Sequence, residues 1–233
     1  MQVGYSVWPN KRLLSQNFFL KDFVESPPDF IISHTYPNTS DIELLADNNY
    51  FSEILYLPQQ LVYDYVAIGQ DYIDSVASVL GLPQRLGIAV TEWSYADGEC
   101  KKCKMYRFDG IIGAINTAMF AASYMEAVHN SSINLIALNF LPLVDKWSGG
   151  GIYNINPNSL ELVITSRAHA MRMLNNTIGT KFFTINSADI IGNPMIDILT
   201  KNSNCSIQTI SIPAVKIWGG IDSLHHDYCL LLI

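Results

Sequence analysis

The sequence is poor in charged residues, and negative charges outnumber positive ones. Only 15% of its 233 residues are charged, the formal net charge is −7, and 49% of the residues are hydrophobic. This balance predicts a globular chain with a large buried fraction. Because nucleic-acid binding requires a basic surface that neutralises phosphates, the negative net charge argues against a nucleic-acid partner.

Long hydrophobic runs are also missing. The longest, INLIALNFLPLV at residues 133–144, contains Asn134, Asn139 and Pro142. It is too short to span a bilayer, which needs about 20 apolar residues in a helix. We therefore interpret this run as a buried strand followed by its exit, and we expect no membrane partner.

The motifs that hold metals or nucleotides are incomplete or absent. Cys100 and Cys103 form one C-x-x-C, but no second C-x-x-C or H-x-H pair supplies the remaining ligands of a zinc site. A loop with two thiols or a local disulfide is therefore the favoured interpretation of this pair. Neither G-x-G-x-x-G nor the P-loop pattern occurs, which argues against a nucleotide-binding domain.

What the chain does contain is an alternation of strand-like and helix-like hydrophobic patterns. The strand-like segments are residues 2–7, 30–33, 86–90 and 133–139. The helix-like segments are residues 12–23, 41–80, 110–129 and 159–174. This order of β-α units predicts an α/β fold with parallel strands, either an open sheet or half of a (β/α)8 barrel.

The remaining segments are predicted from their turn residues and polarity. We expect loops at residues 96–109 and 145–154, and a polar helix face that carries Arg167, His169 and Arg172. From residue 181 the pattern is β-only, with turns rich in Asn, Ser and Gly. We therefore divide the chain into an α/β domain at residues 1–178 and an all-β domain at residues 179–233.

Polar side chains follow the predicted strands at the point where each strand ends. The apolar run of residues 86–90 stops at Thr91-Glu92-Trp93, which predicts that Glu92 stands at the carboxyl end of a buried strand. In parallel α/β proteins this end carries the chemistry, which makes Glu92 the candidate functional centre. The alternative is a strand-end Glu paired with a surface cation.

The preceding strand ends in Ser-His-Thr-Tyr, so His34 and Tyr36 are two residues apart and point to the same side of an extended chain. The alternatives are a core or capping histidine and a buried phenol. The last strand before the tail ends in Asn139.

These motifs resemble the carboxyl half of a clan A glycoside hydrolase barrel, and especially the family 51 α-L-arabinofuranosidases. In that family His-x-Tyr ends strand six, the nucleophilic Glu followed by Trp ends strand seven, and a β-sandwich follows the barrel. The resemblance implies that residues 1–178 form about strands 5–8 of a (β/α)8 TIM barrel. It also implies that residues 179–233 begin a β-sandwich.

The resemblance assigns roles to individual residues. It implies that Glu92 is the catalytic nucleophile and that Tyr36 orients its carboxylate. It places His34, Trp93 and Asn139 in the substrate-binding site, with Trp93 packed either beside the sugar or under the strand. The implied partner is a carbohydrate that contains arabinose. The mechanism needs no metal and no organic cofactor, and the family makes a homo-oligomer plausible.

One part of the catalytic machinery is missing from the sequence. A retaining glycosidase needs two carboxyl groups about 5–5.5 Å apart. In this clan the second belongs to an Asn-Glu pair at the end of strand four, and the sequence contains no Asn-Glu dipeptide. We therefore expect a fragment that is inactive alone and whose acid/base precedes Met1, with Asp145 as the alternative acid. Cytoplasmic and secreted locations both stay open.

The sequence also departs from the family pattern at two positions. Ala96 stands where the family often has a second Trp, and Pro142 stands where it has a Gln. These departures leave open a β-xylosidase or glucuronidase of the same clan. They also leave open a non-catalytic carbohydrate-binding protein on a degenerate barrel.

Overall fold

The structure is a computed structural model of the chain. It describes residues 4–6, 29–35, 68–79, 81–82, 85–93, 110–130, 133–140, 143–145, 151–156, 158–178, 181–186, 189–201, 207–222 and 227–232. The predicted helix at residues 12–23, most of the predicted helix at 41–80 and the loop at 96–109 with Cys100 and Cys103 lie outside these residues.

Among the described residues, helices are interspersed with strands up to Ile178, and the strands then follow one another without a helix. The helices are α1 (Ile68–Val79), α2 (Ile111–His129) and α3 (Ser166–Ile178). The strands before α3 are β1 (Gly4–Ser6), β2 (Phe30–Thr35), β3 (Gly87–Trp93), β4 (Leu135–Phe140), β5 (Val144–Asp145), β6 (Tyr153–Ile155) and β7 (Leu162–Ile164). The strands after α3 are β8 (Lys181–Ile185), β9 (Met195–Lys201), β10 (Ile207–Pro213), β11 (Ile217–Asp222) and β12 (Asp227–Leu232).

The chain divides into two compact units, each built from separate stretches of sequence. The first comprises Met1–Tyr36, Leu61–Ser94 and Ala127–Leu141. The second comprises Pro37–Gln60, Tyr95–Glu126 and Pro142–Ile233, so the division falls inside α2. The predicted domain boundary at residues 178/179 stays a prediction.

The first unit contains a four-stranded parallel sheet with the strand order β1-β2-β3-β4. Ile88, Ala89 and Val90 of β3 are consecutive and all buried, as is Ile31 of the neighbouring strand. A strand buried on both faces is typical of the middle of a parallel sheet, where a continuous apolar run replaces alternation. The predicted α/β fold with parallel strands is therefore confirmed in this unit.

A buried glutamine fastens α1 to the amino-terminal ends of two strands. The Gln70 side chain has no exposed surface. Its Nε2 donates to the Leu86 carbonyl at 3.0 Å, and its Oε1 accepts from the Asn134 backbone N–H at 3.0 Å. Asp74 receives a further bond from Gln70 Nε2 at 2.8 Å and pairs with Arg85 at 2.8 Å. One side chain thus joins the helix to the starts of β3 and β4.

The first residues of β3 pass very close to β4. The register runs from Ile88 opposite Leu135 to Ala89 opposite Ala137, so Ile136 is an extra residue in β4. A Cβ atom on Gly87 would lie 2.3 Å from Ile136 Cγ1, well inside van der Waals contact. Glycine is therefore favoured at this position, because a larger residue would have to displace the side chain of the bulged neighbour.

Helix α2 confirms the prediction of a helix rich in small residues. Residues 116–124 are all buried, which covers more than two consecutive turns. A helix that is buried all round needs no polar face, and this explains why its sequence lacks the usual amphipathic spacing.

The segment before α3 corrects two predictions. The loop predicted at residues 145–154 contains part of a three-stranded sheet with the order β5-β6-β7, in which β6 and β7 are antiparallel. The helix predicted at 159–174 begins only at Ser166 and runs to Ile178. The β-branched pair Val163 and Ile164 favours a strand when a partner is available.

The start of α3 is set by Thr165. Its buried hydroxyl donates to the Ile152 carbonyl at 2.8 Å and accepts from the Ala168 backbone N–H at 3.4 Å, which caps the helix. Arg167 was predicted on the polar face but is fully buried, on the same side of α3 as the buried residues Ala170 and Leu174. His169 and Arg172 are exposed, as predicted.

The tail confirms the β-only prediction among the residues described after position 181. β9 pairs with β10 and β11 pairs with β12, both antiparallel. β8, β10 and β12 match the strand-like segments of the sequence at residues 182–185, 207–215 and 228–233, whereas β9 and β11 were not predicted. That these strands begin a β-sandwich stays a prediction.

Candidate functional site

Glu92 lies at the carboxyl end of the parallel sheet in the first unit. β3 continues through Glu92 to Trp93, so Glu92 stands at the carboxyl end of the strand, as predicted. The Glu92 side chain is 36% exposed, whereas Val90, two residues earlier, is fully buried. The strand therefore begins in the buried core and ends where the Glu92 carboxylate is accessible to a solute.

His34 on the neighbouring strand faces Glu92 directly. The two residues are register partners between β2 and β3. His34 Nδ1 lies 3.2 Å from Glu92 Oε2, and His34 Nε2 lies 3.1 Å from the Thr91 hydroxyl oxygen. The structure thus brings together two residues predicted for the site, Glu92 and His34, and adds Thr91, which was not predicted.

The hydrogen-bonding chemistry assigns the protons of this cluster. An ionised carboxylate only accepts hydrogen bonds, so when Glu92 is ionised the bond between them requires the proton on His34 Nδ1. In the neutral imidazole Nε2 then accepts the hydroxyl proton of Thr91. If the ring is protonated, Nε2 donates to the same hydroxyl oxygen and the Nδ1 contact becomes an ion pair.

A β-bulge explains how two consecutive residues of one strand contact the same ring. In a regular strand Thr91 and Glu92 would point to opposite faces of the sheet. Here Ser33 pairs with Val90 and His34 pairs with Glu92, so Thr91 is skipped in the register. Bulges turn side chains in this way and are common beside active sites. Nothing in the residue pattern of the sequence marks a bulge at this position.

Trp93 is a core residue. Only 1% of it is exposed, and its ring meets that of Phe140 edge to face, with centroids 4.9 Å apart and planes at 88°. This is a favourable arrangement for two aromatic rings. Of the two placements considered from the sequence, packing under the strand matches this burial. A substrate-binding role for Trp93 stays a prediction.

The other predicted site residues lie in other strands or outside the described residues. Asn139 lies in β4 with its side chain exposed. Asp145 belongs to β5 in the second unit. Tyr36, Ala96 and Pro142 lie outside the described residues. The roles predicted for Tyr36 and Asn139 therefore stay predictions.

The described residues also bear on metal binding and on membrane insertion. In the part of the chain that the structure describes, no group of three or more His, Cys, Asp or Glu side chains is placed to hold a metal ion. Among the helices described, none has the length and apolar character needed to cross a bilayer.

The arrangement is suited to chemistry at one carboxylate. A half-exposed carboxylate that an imidazole donor holds in one orientation can attack an electrophilic carbon or remove a proton. The donor fixes the plane of the carboxylate before a substrate arrives, which lowers the entropy cost of reaching the reactive geometry.

Comparison with known proteins identifies a structural likeness but no sequence relative. No family model matches the chain, and no curated protein matches it. A family 51 α-L-arabinofuranosidase from Bifidobacterium longum, AbfB, aligns over 100% of this chain and 44% of its own chain, with a TM-score of 0.69 and 10% identity. This confirms, as a likeness of fold, the resemblance predicted from the sequence. The chain spans less than half the length of that protein.

Two further solved structures align less well. β-Glycosidase BGL167 covers 74% of this chain and 39% of its own, with a TM-score of 0.35 and 14% identity. β-Glucosidase 1317 covers 76% of this chain and 43% of its own, with a TM-score of 0.36 and 13% identity. Scores at this level carry no argument about fold or function.

Proposed function

We propose that the chain forms part of a retaining glycoside hydrolase of the α-L-arabinofuranosidase type, acting on polysaccharides or oligosaccharides that contain arabinose. The observation that carries this proposal is Glu92, half-exposed at the carboxyl end of a parallel strand, with the His34 imidazole 3.2 Å from its carboxylate. The likeness of fold to AbfB supports it, because a (β/α)8 enzyme builds its site at that end of the strands.

The order of the strands supports the barrel assignment. Consecutive strands of a (β/α)8 barrel are neighbours and all parallel, whereas an open doubly wound sheet reverses its strand order. The sequential parallel order β1-β2-β3-β4 fits about strands 5–8 of a barrel within residues 1–178. The antiparallel pairs of the tail fit the start of a β-sandwich at residues 179–233.

In this proposal Glu92 attacks the anomeric carbon of an arabinofuranosyl group and forms a covalent glycosyl-enzyme. A second carboxyl group protonates the departing oxygen and then removes a proton from the water that releases the sugar. Two displacements at the same carbon retain its configuration. Tyr36 would add a further hydrogen bond to Glu92, and Trp93 and Asn139 would contribute to substrate binding.

The second carboxyl group is not supplied by an Asn-Glu pair, because the sequence has none. We propose that the acid/base comes from sequence other than these 233 residues. The chain alone would then complete the first displacement only with a leaving group that needs no protonation. It would complete the second displacement very slowly, because nothing activates the water.

This reasoning defines the experiment. The purified chain is mixed with a dinitrophenyl α-L-arabinofuranoside, whose leaving group departs without an acid. We expect a burst of up to one equivalent of dinitrophenolate, no sustained turnover, and an anhydropentose adduct on the peptide that contains Glu92. Glu92→Gln is the matched control and should show neither burst nor adduct, since an amide is a poor nucleophile.

The outcomes separate the alternatives. An adduct on another residue would contradict the assignment of Glu92, and sustained turnover would contradict the missing acid/base. A burst with an aryl β-xyloside or glucuronide instead would move the specificity to those sugars. Sugar binding by calorimetry without any adduct would favour a carbohydrate-binding protein over an enzyme.

A further inference from the structure

We infer that Thr91 is a positioning residue for Glu92 and acts through the imidazole of His34. The inference deepens the proposed function, because it rests on Glu92 as the reacting group. It concerns a residue for which the sequence motifs predict no role.

The first step in the inference is the placement of the Thr91 hydroxyl. The bulge in β3 takes Thr91 out of the register, and its Oγ1 comes within 3.1 Å of His34 Nε2. The opposite ring nitrogen faces Glu92 at 3.2 Å. The ring is therefore held from both sides, by two consecutive residues of the neighbouring strand.

The second step is the effect of the hydroxyl on the ring. A hydroxyl that donates to Nε2 favours the tautomer with its proton on Nδ1, and this is the tautomer that donates to Glu92. A hydroxyl also accepts, so the same contact persists when the ring is protonated. Thr91 can therefore keep the Nδ1 donor directed at Glu92 in both charge states of His34.

The third step is that the ring needs such a restraint. The His34 side chain is 29% exposed, so water can compete for either nitrogen. Rotation of the ring by half a turn about its bond to Cβ would exchange the positions of nitrogen and carbon and remove the donor from Glu92. A second hydrogen bond on the far side of the ring opposes this rotation.

The same connectivity has a second chemical interpretation. A hydroxyl, an imidazole and a carboxylate in this order also form the triad of serine hydrolases, in which the hydroxyl is the nucleophile. In that case Glu92 would orient His34 for attack by Thr91. The two interpretations predict different labelled residues, so an experiment can choose between them.

The first test observes the tautomer and needs no activity. The chain has five histidines, so the ring nitrogen resonances of His34 are assigned by their loss in His34→Asn. In nitrogen-15 NMR spectra of the neutral ring we expect the Nδ1–H tautomer. Thr91→Val, which removes the hydroxyl and keeps the shape, should yield a mixture with Nε2–H. Thr91→Ser keeps the hydroxyl and should preserve the Nδ1–H signal.

The second test measures the rate of the dinitrophenolate burst. We expect Thr91→Val to slow the burst about tenfold, the effect of one hydrogen bond worth roughly 1.4 kcal/mol, with little change in the half-saturating concentration of the glycoside. Thr91→Ser should stay within about twofold of the unmodified protein on the same grounds. His34→Asn, whose amide nitrogen replaces Nδ1, should retain more activity than His34→Gln, whose amide nitrogen replaces Nε2.

Two results would overturn the inference. One is an unchanged tautomer in Thr91→Val. The other is covalent labelling of Thr91 by an organofluorophosphonate, which would make the hydroxyl a nucleophile. If the unmodified protein gives no burst, the proposed function fails, and the NMR comparison still decides whether Thr91 orients His34.

Discussion

Replacing Gln70 with methionine should destabilise the first unit while leaving the Glu92 cluster intact. Methionine has nearly the length of glutamine, so the change removes hydrogen bonds with little loss of packing. Gln70 lies at the amino-terminal ends of β3 and β4, where it meets the Leu86 carbonyl and the Asn134 backbone N–H. In parallel α/β proteins the chemistry lies at the carboxyl ends of the strands, so Gln70 is at the opposite end of the sheet from Glu92.

The magnitude follows from the groups that the change leaves behind. A buried polar group without a partner costs about 1–3 kcal/mol. The bond to Leu86 is buried and that to Asn134 is partly buried. The bond to Asp74 adds little, since this carboxylate also pairs with Arg85 at the surface. We therefore expect a loss of about 3 kcal/mol in the free energy of unfolding, near the upper range of a single buried polar group.

The assay is urea denaturation followed by tryptophan fluorescence, with Ser78→Ala on the exposed face of α1 as the control. Surface substitutions change stability by about 0.5 kcal/mol or less. The burst amplitude per folded molecule should be unchanged in Gln70→Met. A loss below about 1 kcal/mol would refute the reasoning, because it would mean that water or a rearranged side chain satisfies both backbone groups.

Three further predictions concern backbone geometry and a buried ion pair. Gly87→Ala should lower the free energy of unfolding by about 1–3 kcal/mol, because the new Cβ overpacks against Ile136. The double variant Gly87→Ala/Ile136→Ala should recover most of this loss in the same urea assay. Equal losses in the single and the double variant would contradict the close approach. Leu160 is 72% exposed and has a φ of 59°, so Leu160→Gly should raise stability by about 0.5–1 kcal/mol and Leu160→Ala should not. Burial lowers the pKa of Lys216 below its usual 10.5, against the raising effect of its partner Glu126. The unfolded chain therefore binds more protons than the folded chain in the window below pH 10.5, and the Lys216 contribution to stability should rise with pH there. Urea titrations of the unmodified protein and of Lys216→Met/Glu126→Gln at stepped pH values should show this slope only in the former; a contribution that falls with pH would contradict the direction.

The elements that were predicted correctly are those in which the hydrophobic pattern of the sequence agrees with the burial of the same residues in the structure. β3 was predicted from an apolar run, and it is buried because it lies inside a parallel sheet. α2 was predicted from its small residues, and it is buried over residues 116–124. In both cases the hydrophobic residues are neighbours in sequence, so a short window contains the information that decides the element.

The errors arise where a distant partner decides the local structure. Residues 162–164 form a strand because residues 153–155 pair with them, and Thr165 then caps a helix that begins at Ser166, seven residues later than predicted. A segment that fits a helical spacing and also contains two β-branched residues can form a helix or a strand, and a neighbouring strand that pairs with it decides between them. The extra strands β9 and β11 were missed for the same reason.

By itself the sequence determined the parallel α/β character, the strand that ends near Glu92, and the proximity of His34 to it, since the carboxyl ends of adjacent parallel strands lie at one edge of a sheet. The tertiary structure alone decided the contact between Thr91 and His34 and the burial of Trp93. A bulge shifts the register by one residue, and a shift of one residue turns a side chain from one face to the other. That shift depends on hydrogen bonds between strands, which no local pattern encodes.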